Sequence, residues 1–194
     1  MAIEAAEALG LSVVTIHLSS AGFTPHEEHL ERVIESIGDL ARTAEAAEVM
    51  LGIENTAYPA DPDEFEEILS RINHPAVGVT LDLGHVTYWL RRDGQASLPH
   101  DELVAVYMEH LLGFITRLAD SIIHIHAHDV NAATLRDHRE IGTGLIDFDA
   151  VLTALRGAKY DGMLEVELEE SDVVGAATRS IERLARFASE EQRS

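Results

Sequence analysis

The stretch Ala76–Asp82, AVGVTLD, followed by Leu83-Gly84-His85, decides how the chain is read. It is a short run rich in Val and Leu that closes on a carboxylate, with Thr80 and Asp82 on one face of an extended strand. Four other runs have the same form: Ser12–His17 (SVVTIH), Val49–Asn55 (VMLGIEN), Ser121–His128 (SIIHIHAH) and Gly162–Leu168 (GMLEVEL). Their Val, Ile and Leu content is that of strands buried on both faces. Amphipathic stretches lie between them. Thr24-Pro25-His26-Glu27 and Asp61-Pro62-Asp63-Glu64 are capping boxes with Pro at the first helical position. Leu30, Val33, Ile34, Ile37, Leu40, Ala41 and Ala44 then recur at three and four, as do Phe65, Ile68, Leu69 and Ile72. Leu103–Leu118 and Val174–Ala188 carry similar stripes, and a shorter helix is expected from near Asp147 to Arg156. Met1–Leu9 reads as the end of a helix. Strand–helix alternation of this kind predicts an α/β protein with a parallel sheet.

Composition narrows the function. The chain has 194 residues, 14 Lys+Arg against 35 Asp+Glu, a net charge of −21, and no Cys. The charge opposes duplex nucleic acid, whose counterions must be replaced by Lys and Arg, and it opposes an anionic membrane surface. The absence of Cys removes disulfides, thiolate zinc sites and Cys nucleophiles together. No apolar run approaches the roughly 18 residues of a transmembrane helix. The first ten residues lack the basic and apolar regions of a signal peptide, so the cytoplasm is the expected compartment. Lys159 is the only Lys beside 13 Arg, a bias that fits either a salt-adapted surface or a genome favouring Arg. The expected organisation is one domain over residues 1–188, with a polar tail at 189–194.

The polar residues fall where the strands end. His17, Glu54, Asp82, His126 and Glu167 close the five runs at intervals of 37, 28, 44 and 41 residues. That interval suits one strand–helix unit, and one functional residue per strand end is how a barrel builds a site at its mouth. Alternation places Thr15 with His17, Gly52 with Glu54, Thr80 with Asp82, and Glu165 with Glu167; it also groups His124, His126 and His128. Two Glu, one Asp and one His form an oxygen-rich set that suits Mn²⁺ or Mg²⁺, with Co²⁺ or Zn²⁺ also admissible. Alternation does not choose among the three His, nor between Glu165 and Glu167. Ile141-Gly142-Thr143-Gly144 is either a tight turn or a backbone cradle for phosphate ahead of the helix near Asp147.

The segments LGIENTA (51–57), VGVTLDLGH (77–85), IIHIHAHD (122–129), DHREIGTG (137–144) and YDGMLEVELE (160–169) together resemble the xylose-isomerase-like barrel enzymes. That family includes sugar-phosphate isomerases/epimerases and apurinic-site endonucleases. The resemblance implies a (β/α)8 TIM-barrel type fold with a divalent metal at its mouth, held by Glu54, Asp82, His126 and Glu167. It chooses His126 through the spacing His-x-x-Asp to Asp129, and Glu167 through its place five residues after Gly162. It marks His85, His17 and His138 as substrate-side residues. The implied reaction is sugar or sugar-phosphate isomerisation or epimerisation by proton transfer next to a carbonyl, through an enediolate. Glu54 and Glu167 would take and return the proton. The alternatives are an endonuclease-like phosphodiesterase or an inosose-type dehydratase. The endonuclease motif carries an Asp two residues before the His matching His138, where this chain has Arg136.

A full barrel takes about 250 residues. The five runs match the fourth to eighth units, so the expectation is an incomplete barrel lacking three strand–helix units, with Met1–Leu9 as the tail of the third helix. The expected reason is an N-terminal truncation, ahead of a chain completed by a partner or a half-barrel that forms a homo-oligomer; its open edges would leave the chain by itself weak in metal binding and prone to self-association.

Overall fold

The computed structural model describes residues 2–18 and 27–190, for 28, 29 and 188–190 the backbone alone. The elements run α1 (Ala2–Leu9), β1 (Val13–Ile16), α2 (Glu27–Ala46), β2 (Met50–Glu54), α3 (Pro62–Ile72) and β3 (Val77–Asp82). They continue with α4 (Val86–Arg92), a 3₁₀ turn (Gln95–Ser97), α5 (His100–Arg117), β4 (Ile122–Ala127), α6 (Phe148–Gly157), β5 (Leu164–Val166) and α7 (Val173–Glu190). The Thr24-Pro25-His26 part of the first capping box, Met1 and residues 191–194 of the tail lie outside the described residues. The strand order is β1-β2-β3-β4-β5, the sequential order of a barrel rather than of a doubly wound sheet, with five strands among the described residues. No described helix is long and apolar enough to cross a membrane.

The chain forms two compact units: Met1–Leu81 with Ser121–His124, and Asp82–Asp120 with Ile125–Ser194. In the first unit β1 pairs parallel to β2, and β2 to β3, in the registers Thr15↔Gly52 and Gly52↔Gly78. Val79 N–H continues the ladder to the Ser121 carbonyl at 2.8 Å. Ile3, Ala6, Ala41, Ala44, Val49 and Leu51 form a buried cluster, with Val14, Ile16 and Val77 packed against it. The small Ala residues let α1 and α2 lie close to the strands. The α3 start follows its sequence: Asp61 is extended and its Oδ1 accepts from Glu64 N–H at 3.0 Å, while Glu64 Oε2 accepts from Ala60 N–H at 2.7 Å.

On the opposite face of these strands, Thr15 and Thr80 share a hydroxyl–hydroxyl hydrogen bond of 3.0 Å across β2. In a flat sheet their strands would stand about 9.5 Å apart. The contact is made because β2 offers no side chain there. A Cβ on Gly52 would lie 2.1 Å from Thr80 Oγ1. This face is concave, and alternation puts Glu54 on it.

In the second unit Leu83 N–H bonds the His126 carbonyl at 3.0 Å, and β4 pairs parallel to β5 with His126 opposite Glu165. Tyr107, Leu111, Phe114, Ile115, Ile125 and Val151 are fully buried, and the Tyr107 hydroxyl donates to the Leu83 carbonyl at 2.6 Å. The capping reading holds at α6, where Asp147 accepts from Ala150 N–H at 3.1 Å.

Two expectations need correction. β1 is only half-buried throughout, and β5 exposes Glu165, because each has a ladder partner on one side only among the described residues. And α4, whose first four residues are all β-branched or aromatic, was not anticipated.

Candidate functional site

The predicted site residues sit at or just beyond the C-terminal ends of their strands, except His138, which lies in the segment between β4 and α6. In the first unit, Glu54 closes β2 and is 3% exposed. His17, one residue past β1 and half exposed, reaches it through Nε2 to Glu54 Oε2. His124 is buried within β4.

The second unit holds the other candidates. Asp82 closes β3 and is fully buried. Its Oδ1 accepts from Gly84 N–H at 2.8 Å and His85 N–H at 2.9 Å, which ties the carboxylate to the start of α4. His126, on β4, puts Nδ1 3.8 Å from Asp82 Oδ2 and 3.2 Å from Glu167 Oε2. His85, buried, has Nδ1 3.8 Å from Asp82 Oδ1 and Nε2 4.0 Å from Asp137 Oδ2. His138 has Nδ1 3.1 Å from Asp137 Oδ1 and Nε2 3.7 Å from Glu167 Oε1. The unit therefore gathers Asp82, His85, His126, His138 and Glu167 in one chain of contacts. Glu165 is exposed on β5, and Glu167 lies one residue beyond the strand.

Electrostatics in this unit centre on the Asp137–His138 pair. Burial works to raise the Asp137 carboxyl, but the His138 hydrogen bond and charge outweigh it and bring the pKa to about 2. The hydrogen bond to Asp137, followed by the contact with Glu167, lifts His138 to about 10 against the effect of burial.

Two groups carry more of the architecture than the sequence reading assigned them. Asp129, the second member of His-x-x-Asp, is fully buried and accepts four backbone N–H bonds. Oδ1 takes Val130 at 2.8 Å and Ile146 at 3.1 Å; Oδ2 takes Gly142 at 2.9 Å and Gly144 at 2.7 Å. A Cβ on Gly144 would lie 2.1 Å from the Val130 carbonyl, so only glycine fits. The tight-turn reading of Ile141–Gly144 thus describes the segment, and its glycine N–H groups serve Asp129 rather than a phosphate. The second group is His128, beyond the end of β4, where strand alternation stops. It is fully buried, and its Nε2 lies 2.9 Å from each Asp82 oxygen. Asp82, His85, His128 and His138 together offer ligand atoms close enough to hold one ion.

Comparison with known proteins places this geometry. The sequence model of the xylose isomerase-like TIM barrel matches residues 1–190. An uncharacterized protein of Methanocaldococcus jannaschii is 29% identical over 177 residues, covering 86% of this chain and 54% of that relative. The chain thus spans about half the length of that relative. Among solved structures, a D-tagatose 3-epimerase-like protein is 24% identical with TM-score 0.68, covering 97% of this chain and 68% of that one. A xylose isomerase domain protein from Planctomyces limnophilus is 18% identical with TM-score 0.77, covering 100% of this chain and 65% of that one. A Mycobacterium smegmatis protein in complex with magnesium is 18% identical with TM-score 0.67, covering 96% of this chain and 64% of that one. These likenesses establish an α/β fold of the TIM-barrel type, incomplete, with five strands among the described residues against the eight of a full barrel. With 190 of its residues matched and its strands in the expected parallel order, the chain belongs to the xylose isomerase-like TIM barrel family.

Proposed function

We propose that the chain carries the site of a divalent-metal-dependent sugar or sugar-phosphate isomerase/epimerase. The observation that carries the reading is the meeting of Asp82, His126 and Glu167, with His126 Nδ1 3.8 Å from one carboxylate and 3.2 Å from the other. Two carboxylates and an imidazole form a donor set suited to a hard or borderline divalent cation, Mn²⁺ or Mg²⁺ first and Co²⁺ or Zn²⁺ next. The similar M. smegmatis structure holds magnesium, which supports this. When bound, such an ion stabilises negative charge developing on neighbouring substrate oxygens.

The chain's own residues do the rest. Asp82, His126 and Glu167 are the proposed ligands from the second unit, and the family resemblance adds Glu54 of the first. Glu167, half exposed at the end of β5, is placed to exchange a proton with a substrate carbon. Glu54 is the proposed partner in that exchange, its carboxylate held by His17. His85 and His138 offer donors for substrate hydroxyls. The substrate is a small ketose or its phosphate; the similarity to a D-tagatose 3-epimerase-like protein favours a ketose. The compartment is the cytoplasm, and a net charge of −21 turns polyanions away.

The test is solvent deuterium exchange into a panel of ketoses by the Mn²⁺-replete chain. Incorporation next to the carbonyl, abolished by Glu167→Gln, is the expected result. No incorporation into any ketose overturns the reading. Metal stoichiometry separates it from the endonuclease-like alternative: one ion per chain is expected here, three there.

A further inference from the structure

His128 lies among the candidate ligands, yet its hydrogen bonds give it a different task. We propose that His128 is a positioning residue for Asp82, fixing that carboxylate through its Nε2–H, and is not a metal ligand. The inference rests on the metal-site reading above.

The backbone N–H of His138 points at Nδ1 of His128 from 2.9 Å, and a backbone amide can only donate. A proton on Nδ1 would face that N–H head-on. The other neighbour of Nδ1, the Asp129 carbonyl, is farther away at 3.3 Å. Nδ1 is therefore the acceptor, and the ring proton sits on Nε2. There it meets Asp82, 2.9 Å from each oxygen, with both side chains fully buried. With Gly84 N–H and His85 N–H on Oδ1, this donor leaves Asp82 no freedom to rotate.

The same bonds exclude ligation by His128. A ligating imidazole donates from its second nitrogen. Here the second nitrogen accepts, so metal on Nε2 would require a ring stripped of both protons. The packing agrees: the ring stacks on His138 with centroids 4.1 Å apart, and a Cβ on Gly84 would lie 2.0 Å from its Cε1. The absence of a side chain at residue 84 makes the room in which the ring is clamped.

Two substitutions separate the two nitrogens. His128→Gln keeps a donor near Nε2 and loses the acceptor near Nδ1; His128→Asn keeps the acceptor and loses the donor. Calorimetric titration of the full chain with Mn²⁺, beside metal-free unfolding midpoints, reads the difference. His128→Asn is expected to weaken Mn²⁺ binding by about 10- to 100-fold, and His128→Gln to stay within about threefold of the parent. His128→Asn binding as the parent does overturns the proposal. So does His128→Gln losing as much as His128→Asn while both remain folded, since that is the behaviour of a ligand. Long-range ¹H–¹⁵N spectra of the metal-free parent decide the matter without metal or variant: the Nε2–H tautomer at His128 supports it, the Nδ1–H tautomer overturns it. A parent chain that binds no Mn²⁺ defeats the metal-site reading, while the tautomer still decides what holds Asp82.

Discussion

At the scale of single residues, His138 bears several constraints. Its backbone is left-handed, with φ 55°, a region that residues other than glycine seldom occupy. The conformation lets its N–H reach His128 while its carbonyl accepts from Glu169 N–H at 2.9 Å and its ring meets Asp137. The pair with Asp137 has a definite pH signature. His138 is raised from its ordinary 6.5 to about 10, so its contribution is complete below pH 6.5 and is lost as pH climbs through 10. Asp137 is lowered from 3.8 to about 2, so its contribution is complete above pH 3.8 and is lost as pH falls through 2. In the metal-free chain, His138→Asn should therefore lower the unfolding midpoint most between pH 4 and 6.5 and least above pH 10. Equal losses at pH 5 and pH 10 would show that the ion pair contributes nothing. The strand-end residues Glu54, Asp82 and His126 were legible in the sequence because a strand closing on a polar residue is a local pattern. His128 was not. Alternation grouped it with His126, but the strand stops at Ala127, and its proton is placed by groups 10 and 46 residues away.

At the scale of elements, the segment from Asp129 to Asp147 is built around one carboxylate. Asp129 gathers the N–H groups of residues 130, 142, 144 and 146, and its backbone bridges Arg139. That fixes the stretch carrying Asp137 and His138. Asp129→Ala would strand several buried donors at about 1–3 kcal/mol each. We expect a loss of about 3 kcal/mol or more in urea unfolding, with the Asp137–His138 pair released. A loss below about 1 kcal/mol would mean that water replaces the carboxylate without cost. Helix starts were readable from sequence because capping is local: Asp61 and Asp147 each bond the amide three residues on. The α4 helix was not, because VTYWLRR resembles a strand by residue type and becomes helical where Gly84 and His85 donate to Asp82. Asp129 was legible only as a spacing marker, since its four partners lie up to 17 residues away.

At the scale of the molecule, a charge of −21 means that any divalent salt relieves self-repulsion, whether or not it finds a site. A specific site adds to this. Mn²⁺ at about 100 times its Kd contributes about 2.7 kcal/mol, or roughly 5–10 °C in midpoint for a chain of this length. The Asp82→Asn chain, at matched ionic strength, should keep the screening effect and lose the specific one. Identical Mn²⁺ shifts in both would count against the site. The barrel-type architecture was legible as a whole because its strand–helix rhythm recurs along the chain, whereas the burial of β1 and β5 depends on which strands have neighbours on both sides. The missing side chain at Gly52, whose place the Thr80 hydroxyl takes, bears on how such a chain tolerates change. The bend of the strands and the carboxylate of Glu54 are written two residues apart on one side of one strand. A larger residue at position 52, attractive as a way to stiffen β2, would push Thr80 aside and swing Glu54 with the strand that bears it. Drift in the scaffold at this point is drift in the chemistry, so stability and activity are expected to change together here rather than independently.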